Sequence, residues 1–265
     1  MKNLSRGLAA AALVLGLSLQ LQAGNVLIIN GASVTSESDT TSDITNNLQT
    51  LHIAAGNTVT IADAVPASLA GYGQVWDIRF SNSSPITAGQ QTQYLNFLAA
   101  GGGMFVMGEN DGFTTRNNSV LALIAAAGGG NLTFDGNVES QQTVMAPFTG
   151  PNLVTEVNYA APGGVGVNNT GTGDFITKDA NNRGSGLAFS VGDLVNAPAG
   201  ALTVIFDVNF MQNVYDLPNS QNLTKNLIGF VGNQVEPPVN RVPDAGSTFA
   251  MMISSLLVLA YFRRK

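Results

Sequence analysis

The sequence contains no cysteine and only one histidine. These absences exclude thiol catalysis, disulfide bonds and zinc sites built from Cys and His. Charge is also scarce, since 11% of the 265 residues are charged whereas an average soluble domain has about 25%. With 45% hydrophobic residues and 30 glycines, the chain is neither a disordered polyelectrolyte nor a coiled coil, and it is long enough to bury a core.

The net charge of −6 averages over unlike parts of the chain. Residues 1–24 contain Lys2 and Arg6 and no acidic residue, and the sequence closes on a basic cluster. Between the two ends, residues 25–240 hold five basic residues against 16 acidic ones, a net charge of −11. Because phosphate binding needs a positive face, this acidic body argues against a nucleic-acid partner.

Residues 1–24 have the three parts of a secretory signal peptide in the right order. Lys2 and Arg6 form the positive region, residues 8–21 are apolar, and Ala23 is a small residue suited to cleavage near Gly24. We therefore predict that the chain is exported. The alternative is a buried first helix.

The other end predicts a membrane anchor. Residues 245–262 are almost entirely apolar, and as a helix they would extend about 27 Å, enough for a thin bilayer core. The basic cluster that follows would stay cytoplasmic by the positive-inside rule, which agrees with export of everything before it. This cluster consists of Arg263, Arg264 and Lys265.

A short motif precedes this apolar segment, and residues 242–265 as a whole resemble the PEP-CTERM class of sorting signals in its VPDSG variety. The motif residues are Val242, Pro243, Asp244, Ala245 and Gly246, with Ala245 where that variety usually has Ser. The resemblance implies an exosortase-type membrane enzyme as partner and cleavage near the motif. It also implies delivery to the surface or extracellular matrix of a Gram-negative bacterium. The alternative is a plain C-terminal anchor.

The body alternates between apolar runs and helical periodicity. Predicted strands cover residues 25–30, 58–61, 74–80, 104–107 and 202–206. Four helices are predicted. The first has Ile44, Leu48 and Leu51 on one face, is capped by Ser42 and is ended by Gly56. The second begins with a capping box at Thr87–Gln90, the third is short and covers residues 120–127, and the last covers Leu223 to Val231 and is ended by Gly232. Strands that alternate with helices predict a parallel sheet with helices on both faces.

Residues 135–200 break this rhythm, because they are rich in Gly, Asn and Thr and show no helical pattern. We interpret them as a β-rich insertion. The predicted α/β domain then comprises residues 25–134 and 201–232. A short linker, 233–241, joins it to the sorting signal.

Residues 108–112, Gly-Glu-Asn-Asp-Gly, follow a predicted buried strand and precede a helix. This is the setting of a nucleophile elbow, in which a sharp turn exposes the central side chain, here Asn110. Three further loops, at residues 30–43, 79–85 and 207–216, are expected at the same edge of the sheet, where open parallel sheets bind ligands.

With this elbow and this order of strands, the body resembles the class I glutamine-amidotransferase-like superfamily, which has a flavodoxin-like fold. The resemblance implies a catalytic Cys at the centre of the elbow and a His after the late strand. Here the centre is Asn110, and the region after the late strand has Asp207 and no His. The single His52 lies in the first predicted helix, far from the elbow, so the chain is predicted to be a non-catalytic relative.

Acidic side chains leave other functions open at the same edge. Glu109, Asn110, Asp111 and Asp207 could converge there, either as paired carboxylates for glycosidase-type hydrolysis or as oxygen ligands for Ca²⁺. A carbohydrate-binding module, with an extracellular polysaccharide as partner, is a further alternative, and Trp76 could stack on a sugar. The simpler interpretations are that the acids cap helices and solvate loops, and that Trp76 belongs to the core.

Overall fold

A computed structural model describes residues 24–35 and 37–234. The strands are β1 (Asn25–Ile29), β2 (Thr58–Ala62), β3 (Gln74–Asp77), β4 (Gly103–Gly108), β5 (Phe134–Asn137), β6 (Gln141–Val144), β7 (Glu156–Asn158), β8 (Gly163–Val165), β9 (Asp174–Lys178), β10 (Gly186–Phe189) and β11 (Ala201–Phe206). The α-helices are α1 (Ser38–Ala54), α2 (Ala88–Ala99), α3 (Thr114–Ala127) and α4 (Asn219–Gln234), and short 3₁₀ helices cover Asp111–Phe113 and Val208–Met211.

Five parallel strands form one half of the main sheet, in the order β2-β1-β3-β4-β11. Every residue of β3, β4 and β11 is buried, as the continuous apolar runs predict for strands covered on both faces. Helices α1 and α4 pack on one face, where Trp76 and Phe105 lie. Helices α2 and α3 pack on the other face, over Val75 and Met104. The predicted α/β sandwich is therefore present in this half.

The other half of the sheet corrects the prediction of a purely parallel sheet. Strands β10, β9, β6 and β7 continue it beyond β11, and all of these pairings are antiparallel. The region predicted to be β-rich thus extends the main sheet to nine strands instead of standing apart from it. Among the strands of residues 24–35 and 37–234, only β5 and β8 pair separately, as a two-stranded antiparallel sheet.

Three helix boundaries differ from the prediction, and one of them is the start of α3, which lies at Thr114 instead of residue 120. Helix α1 begins at Ser38, so Ser42 lies inside it and Glu37 occupies the N-cap position. The buried face of α1 begins about one turn before Ile44, at Thr41. The Thr41 carbonyl accepts a hydrogen bond from the Thr45 hydroxyl at 2.6 Å.

Helix α4 runs through Gly232 to Gln234 and does not stop at the glycine. The glycine lies close to β3, because a Cβ at position 232 would be 2.7 Å from Nε2 at the end of the Gln74 side chain. By contrast, the capping box that starts α2 is present as predicted, with the Thr87 side chain accepting from the Gln90 amide.

The two predicted membrane-related segments fall outside the described part of the chain. The signal segment 1–24 is described only at Gly24, and the predicted C-terminal helix at 245–262 is not described. Within residues 24–35 and 37–234, no helix is long and apolar enough to cross a bilayer.

Trp76 and His52 belong to the core. Trp76 is fully buried, stacks on Phe105 at 4.8 Å between ring centroids and receives the edge of the His52 ring at 4.8 Å. The Trp76 Nε1–H donates to Gln74 Oε1 at 3.1 Å. His52 is also fully buried, and its Nε2 has no hydrogen-bond partner. This arrangement agrees with the core interpretation of Trp76.

The buried imidazole predicts sensitivity to acid. Burial lowers the pKa of His52 from 6.5 to about 3, so the unfolded chain takes up a proton below pH 6.5 that the native protein excludes. We expect this group to reduce the free energy of unfolding by up to about 1.4 kcal/mol per pH unit between pH 6.5 and 5. His52→Phe, which keeps a ring against Trp76, should lack this loss when urea unfolding is compared with the wild type across that window. Parallel pH profiles of the two proteins would contradict the assignment.

Candidate functional site at the carboxyl edge of the sheet

The structure brings the four predicted loops together at the carboxyl ends of the parallel strands. Asn82 Nδ2 donates to the Gly112 carbonyl at 3.0 Å, which joins the loops after β3 and β4. The Ser83 hydroxyl donates to the Val34 carbonyl, which adds the loop after β1. Asn213 donates to Asp43 through its backbone and its side chain, each at 3.1 Å, which adds the loop after β11.

The segment at 108–112 is not a strained elbow. Asn110 has φ −62° and ψ −175°, which is ordinary extended backbone, whereas an elbow nucleophile sits on a sharp, strained turn. Its side-chain oxygen accepts from the Gly112 amide at 2.9 Å, and its Nδ2 donates to Glu109 Oε1 at 2.7 Å. Asn110 therefore caps the following 3₁₀ helix and is not presented to solvent as an attacking group would be.

Glu109 and Asp207 do come together. Each is the residue after a strand, and the strands β4 and β11 are parallel neighbours with Gly108 opposite Phe206. Glu109 is 2% exposed and Asp207 is not exposed at all. Burial, together with the negative charge of Asp207, raises the pKa of Glu109 from 4.5 to about 8. The Glu109 carboxyl is thus largely protonated at neutral pH.

Asp207 is held by four backbone amides. Its Oδ1 accepts from Asn209 at 2.7 Å and Phe210 at 3.2 Å, and its Oδ2 accepts from Ala160 at 2.8 Å and Ala161 at 3.4 Å. Burial raises the pKa of Asp207 to about 6, although these amides act in the opposite direction. The carboxylate therefore ties the segment before β8 to the end of β11.

The strands β5 and β8 cover this edge. A Cβ at Gly163 would lie 2.6 Å from the Glu109 carbonyl oxygen, so β8 passes directly against the residue after β4. The Asp111 amide donates to Asn137 Oδ1 at 3.1 Å, which attaches β5 to the 3₁₀ helix. As a result, the two buried carboxyl groups lie beneath polypeptide at the place where an open α/β sheet binds its ligand.

Asp111 does not join the carboxyl pair in a common site. Asp111 is exposed, whereas Glu109 and Asp207 are buried. In the described ranges, 24–35 and 37–234, no three His, Cys, Asp or Glu side chains are grouped so that they could hold a metal ion.

A second buried cluster, at the end of β3, was not predicted from the sequence. Asp77 accepts hydrogen bonds from Arg79 at 2.8 and 2.7 Å and from the Tyr94 hydroxyl at 2.9 Å. Arg116 Nη2 lies 3.3 Å from the same carboxylate. Burial acts to raise the pKa of Asp77, but Arg116 and Arg79 outweigh it and hold this pKa well below its usual range.

Arg116 contacts three segments of the chain: Asp77 in β3, β4, and the loop after β3. Its Nε donates to the Met107 carbonyl and its Nη1 to the Ser84 carbonyl, both at 3.0 Å. The side chain is fully buried, and burial lowers the pKa of Arg116 despite the neighbouring Asp77. The cluster of Asp77, Arg79, Tyr94 and Arg116 therefore holds β3, β4 and the loop that contains Ser84 together. The one sequence signal for the cluster is a charged pair, Asp77 and Arg79, directly at the end of an apolar strand.

Comparison with a protein-family model identifies the C-terminal segment. Residues 241–265 match the VPDSG-CTERM motif. This match supports an exported, surface-directed protein with a PEP-CTERM-type sorting signal that is processed by exosortase. No curated protein matches the sequence.

Two solved structures share the fold of the body at low sequence identity, and a third is less similar. The N-terminal domain of mmIFT52 has a TM-score of 0.55 and 14% identity, over 78% of this chain and 96% of that chain. The exo-β-1,4-mannosidase Op5Man5 from Opitutaceae bacterium strain TAV5 has a TM-score of 0.51 and 10% identity, over 82% of this chain and 37% of that one. A ThuA-like protein from Bacteroides uniformis has a TM-score of 0.49 and 14% identity, over 81% and 92%. At these identities the likeness concerns the fold alone.

Proposed function

We propose that this exported protein is held at the membrane by its C-terminal segment, is then released to the cell surface or the extracellular matrix of a Gram-negative bacterium, and serves there in interaction or structure without catalysing turnover. The sorting signal supports the first part. The observation that carries the second part is the covering of the carboxyl edge by β5, β8 and the segment before β8.

The covered edge supports a non-catalytic body on chemical grounds. A general acid or base must come within hydrogen-bond distance of its substrate, but the carboxyl groups of Glu109 and Asp207 are occupied by the protein's own amides and are buried. The sequence has no Cys, and His52 lies in the last turn of α1, at the opposite end of the sheet. Neither a Cys-His nor a Ser-His relay can form at this edge.

We further propose that the body descends from the class I glutamine-amidotransferase-like fold. In its support, the parallel strands follow the order β2-β1-β3-β4-β11, which is the flavodoxin-like order, and the Gly108–Gly112 segment follows β4 as the elbow does in those enzymes. Asn110 would then be a former nucleophile position that now acts as a helix cap. An extracellular polysaccharide remains a predicted partner class, with no residue assigned to its recognition.

One observation favours a second candidate, a hydrolase with an acid-based site. The raised pKa values of Glu109 and Asp207 would suit a proton donor at neutral pH. Such an enzyme would need the segment before β8 to move away from Asp207. A polysaccharide panel on which the wild type releases sugar and Glu109→Gln does not would establish this candidate in place of the first.

The sorting half of the proposal predicts a change of location. Deleting residues 242–265 should transfer the protein from the membrane and surface fractions to the soluble exported fraction, because the segment matched to the sorting motif is lost. Asp244→Asn, inside the motif, should accumulate as an unprocessed, larger membrane-bound form. Fractionation and immunoblotting measure both effects.

A matched control substitutes an acid of the same kind elsewhere. Asp39→Asn changes an exposed residue in the first turn of α1 and should be processed like the wild type. If the deletion variant keeps the distribution of the wild type, the sorting function is wrong. If Asp39→Asn and Asp244→Asn are impaired alike, the effect does not come from the motif.

A further inference from the structure

Both ends of the described body lie at the amino edge of the parallel strands, the edge opposite the candidate site. The Gly24 carbonyl accepts from the Thr58 amide at 3.0 Å, so the chain enters beside the start of β2. At the other end, Gly232 lies in the last turn of α4 against the side chain of Gln74, the first residue of β3. Since β1 lies between β2 and β3, the chain enters and leaves at the same edge of the sheet.

The tether from this edge to the sorting motif is short. Helix α4 ends at Gln234 and the matched motif begins at residue 241. The predicted membrane segment begins four residues further on, at residue 245, so ten residues in all, 235–244, reach at most about 36 Å even when fully extended. While the C-terminal segment is held in a membrane, the end of α4 at the amino edge therefore stays within about this distance of the lipid surface.

The amino edge carries almost no charge. The segments that form it are the helix ends and strand starts at residues 54–58, 68–74, 99–103, 125–131, 195–201 and 230–234, and none contains Asp, Glu, Lys or Arg. Two apolar side chains are exposed there, Ile53 at 58% and Val195 at 71%. Two acidic residues also lie on this side of the sheet, Asp193 in the same turn from β10 to β11 as Val195, and Asp174 at the start of β9.

The acidic charge of the α/β half is concentrated at the opposite edge. Six acidic residues in and beside the loops there are exposed or half-buried, whereas the two basic residues, Arg79 and Arg116, are buried. The six are Glu37, Asp39, Asp43, Asp63, Asp111 and Asp216. The net charge of the body is therefore distributed unequally between the two ends of the sheet. Anionic headgroups repel an acidic surface within about a Debye length, roughly 10 Å in 0.1 M salt.

We propose that the nearly uncharged amino edge of the sheet is the surface that faces the phospholipid bilayer in the uncleaved, membrane-held protein, and that the acidic carboxyl edge faces away. The inference rests on the membrane-held state of the proposed function. It follows from two independent observations, the position of both chain ends with their short tether and the separation of charge along the strands. The loops of the carboxyl edge are then the part of the protein available to partners before release.

Single cysteines test this orientation, because the native chain has none and each label is unique. Four exposed alanines make matched sites: Ala54 and Ala100 at the amino edge, on opposite faces of the sheet, and Ala32 and Ala64 at the carboxyl edge. Each full-length Ala→Cys variant is labelled with a small fluorophore and reconstituted into vesicles of phosphatidylcholine with a minority of phosphatidylglycerol and a headgroup-located quencher lipid. Six-residue strands such as β4 separate the two edges by about 20 Å.

We expect several-fold stronger quenching at positions 54 and 100 than at positions 32 and 64, and loss of the difference when residues 242–265 are deleted. Equal quenching at all four positions of the membrane-bound protein would overturn the orientation and leave the anchoring intact. If the full-length protein does not bind the vesicles, both the membrane-held state and the orientation are wrong. Circular dichroism of each variant establishes that the labelled proteins are folded.

Discussion

Replacing Asp77 with asparagine should lower the free energy of unfolding by about 3–5 kcal/mol, the usual cost of removing one partner from a buried ion pair. Asp77 is the carboxylate that both Arg79 and Arg116 contact, and the two guanidinium groups are 5% and 0% exposed. Asparagine keeps the shape but leaves two buried positive charges without a counter-charge. Urea unfolding at pH 7 measures the loss.

A surface pair supplies the matched control. Asp135 lies 3.9 Å from Arg183, and the side chains are 47% and 24% exposed. Exposed pairs of this kind contribute about 0–1 kcal/mol, so Asp135→Asn should have a small effect under the same conditions. Similar losses in the two variants would mean that burial does not govern the effect.

A double-mutant cycle tests whether the loss arises from unpaired charge. Arg116→Met removes one of the two guanidinium groups, so the double variant with Asp77→Asn should be less destabilised than the sum of the single variants by more than about 1 kcal/mol. Additive effects would show that Asp77 acts through shape or hydrogen bonding alone.

The parallel half of the sheet could be predicted because its signal is local. Residues 25–30, 104–107 and 202–206 are apolar runs that must be buried wherever they pair, and helices with one apolar face separate them. The antiparallel extension could not be predicted in the same way. Short alternating segments such as β6 and β9 show which face is buried, but they do not identify the strand they pair with.

The candidate site was predicted in part for a related reason. Glu109 and Asp207 follow adjacent strands, so the rule that strand ends meet at one edge places them together. The same rule gives no information about β8, which covers them from a distant part of the chain. Arg116 was missed because the sequence predicts the helix to begin only at residue 120 and leaves Arg116 in the preceding loop, and only the tertiary fold directs its side chain to Asp77.

Glu109→Gln should remove the loss of stability that the wild type shows above neutral pH. The native pKa of Glu109 is about 8, against 4.5 for an ordinary glutamate. The native protein therefore retains a proton that the unfolded chain has released, and the stability this provides at low pH is lost as the pH rises toward 8. Between pH 6.5 and 8 the wild type should lose up to about 2 kcal/mol.

Between pH 6.5 and 8, the change in the free energy of unfolding can be assigned to Glu109 and not to the other groups with shifted pKa values. Asp207 titrates near pH 6 and His52 acts below pH 6.5, so neither accounts for a change that continues toward pH 8. Glutamine is neutral at every pH and keeps an acceptor for the Val208 amide, so urea unfolding of the variant should give a nearly flat profile there. Asp111→Asn, an exposed acid two residues along, should retain the slope of the wild type. A wild-type profile that is already flat would show that Glu109 is ionised in the native protein, and the covered edge would then have to admit solvent.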